Sequence, residues 1–125
     1  MISVTDNGAV RSFLLDRPEA LNAFNNRMFD QLADALLLAA DDDSVKVVVI
    51  TGAGRAFSAG LDLASIGDDE PKPKHGFPGL YEAFLEFPKP LLLAINGLGV
   101  GFGCTICGLV DLVFMAQSAR LRCPF

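Results

Sequence analysis

The chain lacks a basic stripe. Its 10 Lys and Arg residues are scattered against 15 Asp and Glu, for a formal charge of −5. No Lys/Arg cluster exists to neutralise a run of phosphates, so no nucleic-acid partner is expected. A secretory leader is not expected either: MISVTDNGAVRS at the start has no basic region followed by an apolar core. The three cysteines are an odd count without a disulfide framework, which suits a reducing compartment and gives a cytoplasmic expectation. Tryptophan is absent and internal repeats are missing. Nothing divides the 125 residues into two domains, and about half are apolar, enough for one real core.

Charge is also missing from one long stretch: no charged side chain stands between Lys89 and Asp111. The run 91–110 is as long as a membrane-spanning helix needs. Against that reading, Asn96-Gly97 sits inside it, five glycines fall between Gly97 and Gly108, and Pro88 and Pro90 precede it. The expectation is no membrane span, but an apolar strand, a turn at Asn96-Gly97, a glycine-spaced loop and then a helix.

The rest of the chain alternates strand and helix signals. Ile2 onward alternates, Asp6-Asn7-Gly8 is a hairpin turn, and residues 10–15 read as the return strand. Asn25 can cap a helix on which Met28, Phe29, Leu32, Ala33, Leu36 and Ala40 recur at helical spacing. Residues 46–51 (KVVVIT) are a β-branched run, expected to be a strand buried on both faces. Strand, helix and buried strand in that order predict a crossover onto one sheet. A small-residue loop (52–60) and a short helix (61–66) follow, and then 67–79 (GDDEPKPKHGFPG) is expected to be a mobile loop. Residues 81–87 read as a short helix stopped by Pro88 and Pro90, and 111–116 as a further strand.

Several chemistries fail on spacing. Gly52-x-Gly54-x-x-Phe57 has phenylalanine where a dinucleotide fingerprint needs its third glycine, and neither glycine loop ends in Gly-Lys-Ser/Thr. Cys104 and Cys107 have metal or redox spacing, but only Cys123 and the lone His75 could complete a zinc set, so no metal is expected. Flanked by glycine and apolar residues, the two thiols are expected to be buried and inert, and His75 to be solvated in the loop. Glu82 and Glu86 share a helix face and could work as paired carboxylates; an ordinary solvated face is the expectation. One idea uses both glycine loops. Each follows an apolar strand and offers bare backbone N–H groups, and two such groups on one oxygen make an oxyanion hole. The alternative is that the glycines serve only tight turns and close packing.

Three motifs then carry a resemblance. RPEALNA from Arg17, VVVITGAGRAFSAGLD from Val47 to Asp62, and KP…AINGxGxGxG…D from Lys89 to Asp111 resemble the crotonase (enoyl-CoA hydratase/isomerase) superfamily, in order and over almost the whole chain. The resemblance implies an α/β fold, a crotonase-like (ClpP/crotonase) spiral of ββα turns, incomplete because the chain is about half the family length. Residues 1–125 would be the N-terminal part of one acyl-CoA-binding domain, assembling as a homo-oligomer (trimer or hexamer). It implies an acyl-CoA thioester as substrate and no separate cofactor. By motif, the oxyanion donors would be the backbone N–H groups of Ala59 and Phe102. Ser58, Ala59, Gly60, Leu61, Asp62, Gly101, Phe102 and Gly103 would line the thioester and pantetheine path, with Ala20 and Leu21 near the CoA moiety.

Two departures from the family pattern bear on function. Typical hydratases carry their first catalytic glutamate where this chain has Thr105, and a glycine where it has Phe102. The run from Val100 to Asp111 looks more like peroxisomal-type Δ3,Δ2-enoyl-CoA isomerases, so isomerisation is expected over hydration. The family's remaining glutamate comes shortly after the position of Phe125. The alternative expectation is therefore a non-catalytic, truncated acyl-CoA-binding or assembly fragment lacking the general base.

Overall fold

The computed structural model describes residues 1–65 and 72–125. Eight strands and three helices are found among them: β1 (Ile2–Asn7), β2 (Val10–Leu15), α1 (Asn26–Asp41), β3 (Val47–Gly52), β4 (Ala56–Ser58), α2 (Gly76–Glu86), β5 (Leu91–Ile95), β6 (Leu98–Val100), α3 (Phe102–Thr105), β7 (Leu112–Met115) and β8 (Leu121–Arg122). The first sheet has the order β1-β2-β3-β5-β7; β1 and β2 form an antiparallel hairpin and every other pairing is parallel. The second sheet, β4-β6-β8, is small and parallel.

The hairpin turns at Gly8-Ala9, with Gly8 at φ 60, and residue 7 pairs with residue 10. Helix α1 begins where the cap signal put it: the Asn25 side chain accepts the Met28 N–H at 2.9 Å. Its buried face is Met28, Phe29, Leu32, Ala33, Leu36 and Ala39, so Ala39 takes the place predicted for Ala40. That face covers Phe13, Leu15, Val48, Ile50 and Leu93 of the first sheet in one continuous core. Each such large side chain contributes about 2 kcal/mol when fully removed from water.

Two sequence expectations change here, for β3 and for α2. Strand β3 is not buried on both faces: Val48 and Ile50 are fully buried, whereas Val47, Val49 and Thr51 are half-covered. On that second side lies a shallow groove formed with Ala94, Phe114 and Met115. Strand β7 is exposed throughout, with Leu112, Val113, Phe114 and Met115 all open to solvent. Helix α2 starts at Gly76, five residues before the periodic signal at Tyr81 and inside the stretch read as a loop. Residues 67–71 of that loop lie outside the described residues.

The cause of the early start is a distant cap. The Asp30 carboxylate, on α1, accepts the backbone N–H groups of Lys74, His75 and Gly76, each at 2.8 Å. Burial pushes this carboxyl up, but the three donors outweigh it and hold it below the usual carboxylate value. One turn along α1, Asp34 meets His75 Nε2 at 2.9 Å and Lys74 Nζ at 3.2 Å. His75 is thus not simply solvated. Its hydrogen bond, with the Lys74 cation, holds the Asp34 carboxyl below its ordinary value.

The uncharged run 91–110 is divided among β5, β6, α3 and a 3-10 turn (Ile106–Leu109). No helix among the described residues is long and apolar enough to cross a membrane.

Candidate functional site

Two loops meet above the parallel strands. The first leaves β3, passes through β4 and ends at Leu61; the second leaves β5, passes through β6 and enters α3. Parallel pairing of β4 with β6 draws the loops together. They approach so closely that side chains have no room at the contact. A Cβ on Gly103 would stand 2.1 Å from the Ser58 oxygen, and one on Gly60 (φ 87) 2.5 Å from the Val100 oxygen. Several of the glycines therefore do serve close packing, as the duller reading of the sequence had it.

Two asparagines fasten this junction, Asn22 buried and Asn96 half-buried. Asn22 is wholly buried; its Nδ2 donates to the carbonyls of Ala53 (2.9 Å) and Ala56 (3.0 Å), and its Oδ1 accepts the Arg17 N–H (2.8 Å). Asn96 donates to Gly54 and to the same Ala56 carbonyl, both at 3.1 Å, and accepts the Gly52 N–H. Leu21 and Asn22 both hold left-handed backbone, at φ 52 and φ 57, which the hydrogen bonds of Asn22 support. Neither asparagine role was legible in the sequence, where Asn96 read as a turn residue and Asn22 as part of the RPEALNA motif.

The predicted site residues divide in two. Ser58 is fully buried, its Oγ donating to the Asn22 carbonyl at 2.8 Å and accepting the Gly60 N–H at 3.1 Å. Asp62 is bound to Arg17 Nη1 at 2.8 Å, a guanidinium that also donates to the Ala23 carbonyl. Ala20 closes a 3-10 turn (Pro18–Ala20), and Gly103 is buried against Ser58. These residues build the frame. Ala59, Leu61, Gly101 and Phe102 instead line an open cleft of about 480 Å³. Its remaining walls include Phe29, Leu63, Phe77, Thr105 and Phe125.

The backbone direction at the cleft decides which N–H groups are free. The Ala59 N–H donates to the Leu21 carbonyl at 2.9 Å, so it is occupied. Residues 60–62 form a parallel bridge with Phe24, whose N–H donates to Gly60 (2.7 Å) and whose carbonyl accepts from Asp62 (2.8 Å). In such a bridge the middle residue turns its own N–H the other way. That residue is Leu61, and among the described residues its N–H has no protein acceptor. Phe102 is the first residue of α3, where a helix leaves its N–H unpaired, and it too has no acceptor among the described residues.

Phe102 is held by its ring. It meets Phe24 edge-on at 5.3 Å and Phe77 edge-on at 5.3 Å, with Phe29 at 5.8 Å. The residue is buried in the core cluster and also lines the cleft. Thr105, one turn on, is exposed into the cleft. No carboxylate is among the described residues lining it.

The other candidates fall away from the cleft. Cys104 and Cys107 are half-buried and unpaired; burial, then the neighbouring Cys104, push the Cys107 thiol up and so disfavour the thiolate. Glu82 and Glu86 lie on an exposed face of α2.

Comparison with known proteins agrees with this frame. The family model described as enoyl-CoA hydratase/isomerase matches residues 5–125. The chain belongs to the enoyl-CoA hydratase/isomerase family. Human enoyl-CoA delta isomerase 2 is 35% identical over 98% of this chain and 33% of its own length. The 2,3-dehydroadipyl-CoA hydratase of Escherichia coli (strain K12) is 39% identical over 88% of this chain and 44% of its own. Among solved structures, enoyl-CoA hydratase EchA8_6 from Mycobacterium marinum superposes with a TM-score of 0.95 at 54% identity, covering 99% of this chain and 61% of that one. The chain thus spans about half the length, or less, of the curated relatives it matches. The fold is accordingly the crotonase fold in part, with its mixed α/β parallel sheet.

Proposed function

We propose that the cleft binds an acyl-CoA thioester and stabilises its enolate through the backbone N–H groups of Leu61 and Phe102. The observation that carries this reading is that both N–H groups stand at the cleft without a protein acceptor among the described residues. An enolate oxygen develops negative charge, and one fixed donor aimed at it in a dry site contributes roughly 3–4 kcal/mol to the barrier. Leu61 replaces Ala59 as the first donor, because the Ala59 N–H already serves Leu21.

Between the two family chemistries, isomerisation is favoured. Hydration needs a carboxylate to activate water as well as a proton for the substrate; moving a double bond needs one base that shuttles one proton. Thr105 lines the cleft and stands where the family resemblance puts the first hydratase glutamate, and a threonine cannot be a carboxylate base. A second reading, acyl-CoA binding without turnover, is favoured by the same absence of a carboxylate from the described lining.

One experiment separates these readings. The protein is supplied with 3-hexenoyl-CoA and with 2-hexenoyl-CoA, and double-bond migration and hydration are followed separately. Faster migration supports the isomerase. Hydration at an equal or greater rate overturns it, and binding of both thioesters with no change in either establishes the second reading.

A further inference from the structure

Helix α2 has no cap of its own. His75, which precedes it, makes no side-chain cap hydrogen bond, and the first turn reads Gly76-Phe77-Pro78-Gly79, with two glycines that disfavour helix. The cap comes from α1 instead. Asp30 Oδ1 accepts the N–H groups of His75 and Gly76, and Oδ2 accepts that of Lys74, each at 2.8 Å. One turn along α1, Asp34 holds the His75 ring at 2.9 Å.

The residue that follows this capped turn of backbone is Phe77, a wall of the cleft. Its ring stands edge-on to Phe29 at 5.7 Å and to Phe102 at 5.3 Å. Phe29 is the neighbour of Asp30, so one turn of α1 both caps the start of α2 and packs against the ring beside it. The Phe77 residue is 44% exposed, so packing holds only part of it and the backbone beneath must fix the rest. Phe102 in turn carries one of the two proposed donor N–H groups. A line of contacts therefore runs from Asp30, which is outside the described cleft lining, through the first turn of α2 to Phe77 and Phe102.

We infer that Asp30 is a positioning residue for thioester binding: its carboxylate sets the Phe77 ring against Phe102 and so shapes the wall beside the donors. The inference rests on the acyl-CoA reading above. A cap that served stability alone would lower the unfolding midpoint and leave acyl-CoA affinity unchanged once the protein is folded.

The test is isothermal titration with free CoA and with hexanoyl-CoA, which is saturated and so is not turned over. Wild type, Asp30→Asn, Asp30→Ala, Phe77→Ala and the variants combining each Asp30 change with Phe77→Ala are compared. The ratio of hexanoyl-CoA to free-CoA affinity is expected to fall roughly tenfold in Asp30→Ala. Asp30→Asn keeps one acceptor oxygen for His75 and Gly76, and its ratio should fall about threefold. With Phe77→Ala already present, neither Asp30 change should lower the ratio by more than about a factor of two, because the ring it positions is gone. Should Asp30→Ala fail to fold, Asp30→Asn alone and with Phe77→Ala makes the same comparison. An unchanged ratio in folded Asp30→Asn, or equal losses with and without the Phe77 ring, overturns the inference and leaves the acyl-CoA reading standing. Wild type binding hexanoyl-CoA no better than free CoA overturns both.

Discussion

Gly60 lies against the backbone of Phe102: a Cβ added to Gly60 would stand 3.3 Å from the Phe102 nitrogen and 2.5 Å from the Val100 oxygen. The loop after β3 and the start of α3 are thus packed main chain to main chain. That contact holds the proposed donors, Leu61 and Phe102, at the edge of one cleft. The contact tolerates no side chain, and Gly60 also sits at φ 87.

Gly60→Ala is therefore expected to be costly twice over, through left-handed strain and through the clash with Val100. A loss of roughly 2–4 kcal/mol of stability should appear in urea unfolding, with acyl-CoA affinity falling as the loops separate. An unchanged midpoint would show that the loops are free to part.

Phe102 offers a way to separate ring from backbone. Phe102→Ala removes the ring from its cluster with Phe24, Phe29 and Phe77 and should cost roughly 3 kcal/mol of stability while keeping the N–H. Phe102→Pro removes both; proline is tolerated at a first helical position, which Phe102 occupies. Turnover by the proline variant should fall a further factor of about 10²–10³ below that of the alanine variant. Equal rates would mean that the N–H has no role.

Asn22 joins three segments that are far apart in sequence, through Arg17, Ala53 and Ala56. Asn22→Ala leaves those buried groups unpaired and places alanine at φ 57, an expected loss of roughly 2–4 kcal/mol. Thermal melting compared with an exposed control such as Glu82→Ala checks this, the control melting within a degree or so of wild type.

Acid should loosen the α1–α2 clamp. The Asp30 and Asp34 carboxyls are depressed in the folded protein, so their stabilisation is present above the ordinary value of 3.8 and is lost as pH falls through the lower folded values. Wild type should lose stability over that acid window more steeply than an Asp30→Asn/Asp34→Asn variant. Parallel acid limbs for the two proteins would contradict the clamp.

Much of this frame can be read from local pattern. The hairpin turn read at Asp6-Asn7-Gly8, the Asn25 cap and the apolar spacing of α1 are nearest-neighbour effects, and in the fold the turn falls at Gly8-Ala9, the cap at Asn25 and the last buried alanine at Ala39. What local pattern misses is supplied from a distance. Gly76-Phe77-Pro78-Gly79 has loop composition, yet it is helical because Asp30 caps it from 46 residues away. Strands β4, β6 and β8 are three, three and two residues long, too short for alternation to register. The choice of donor is hard to read from sequence for a related reason. Which N–H of Ala59, Gly60 and Leu61 faces the cleft depends on pairing with Phe24 and Leu21, and a shift of one or two residues changes which donor is free.

The central claim is that one thioester oxygen is held by the Leu61 and Phe102 N–H groups. A crystal structure with hexanoyl-CoA bound tests it most directly. The account predicts the thioester oxygen about 3 Å from both nitrogens, with the Ala59 N–H still donated to Leu21. A thioester oxygen bound elsewhere, or held by Ala59 after its bond to Leu21 has broken, would contradict it.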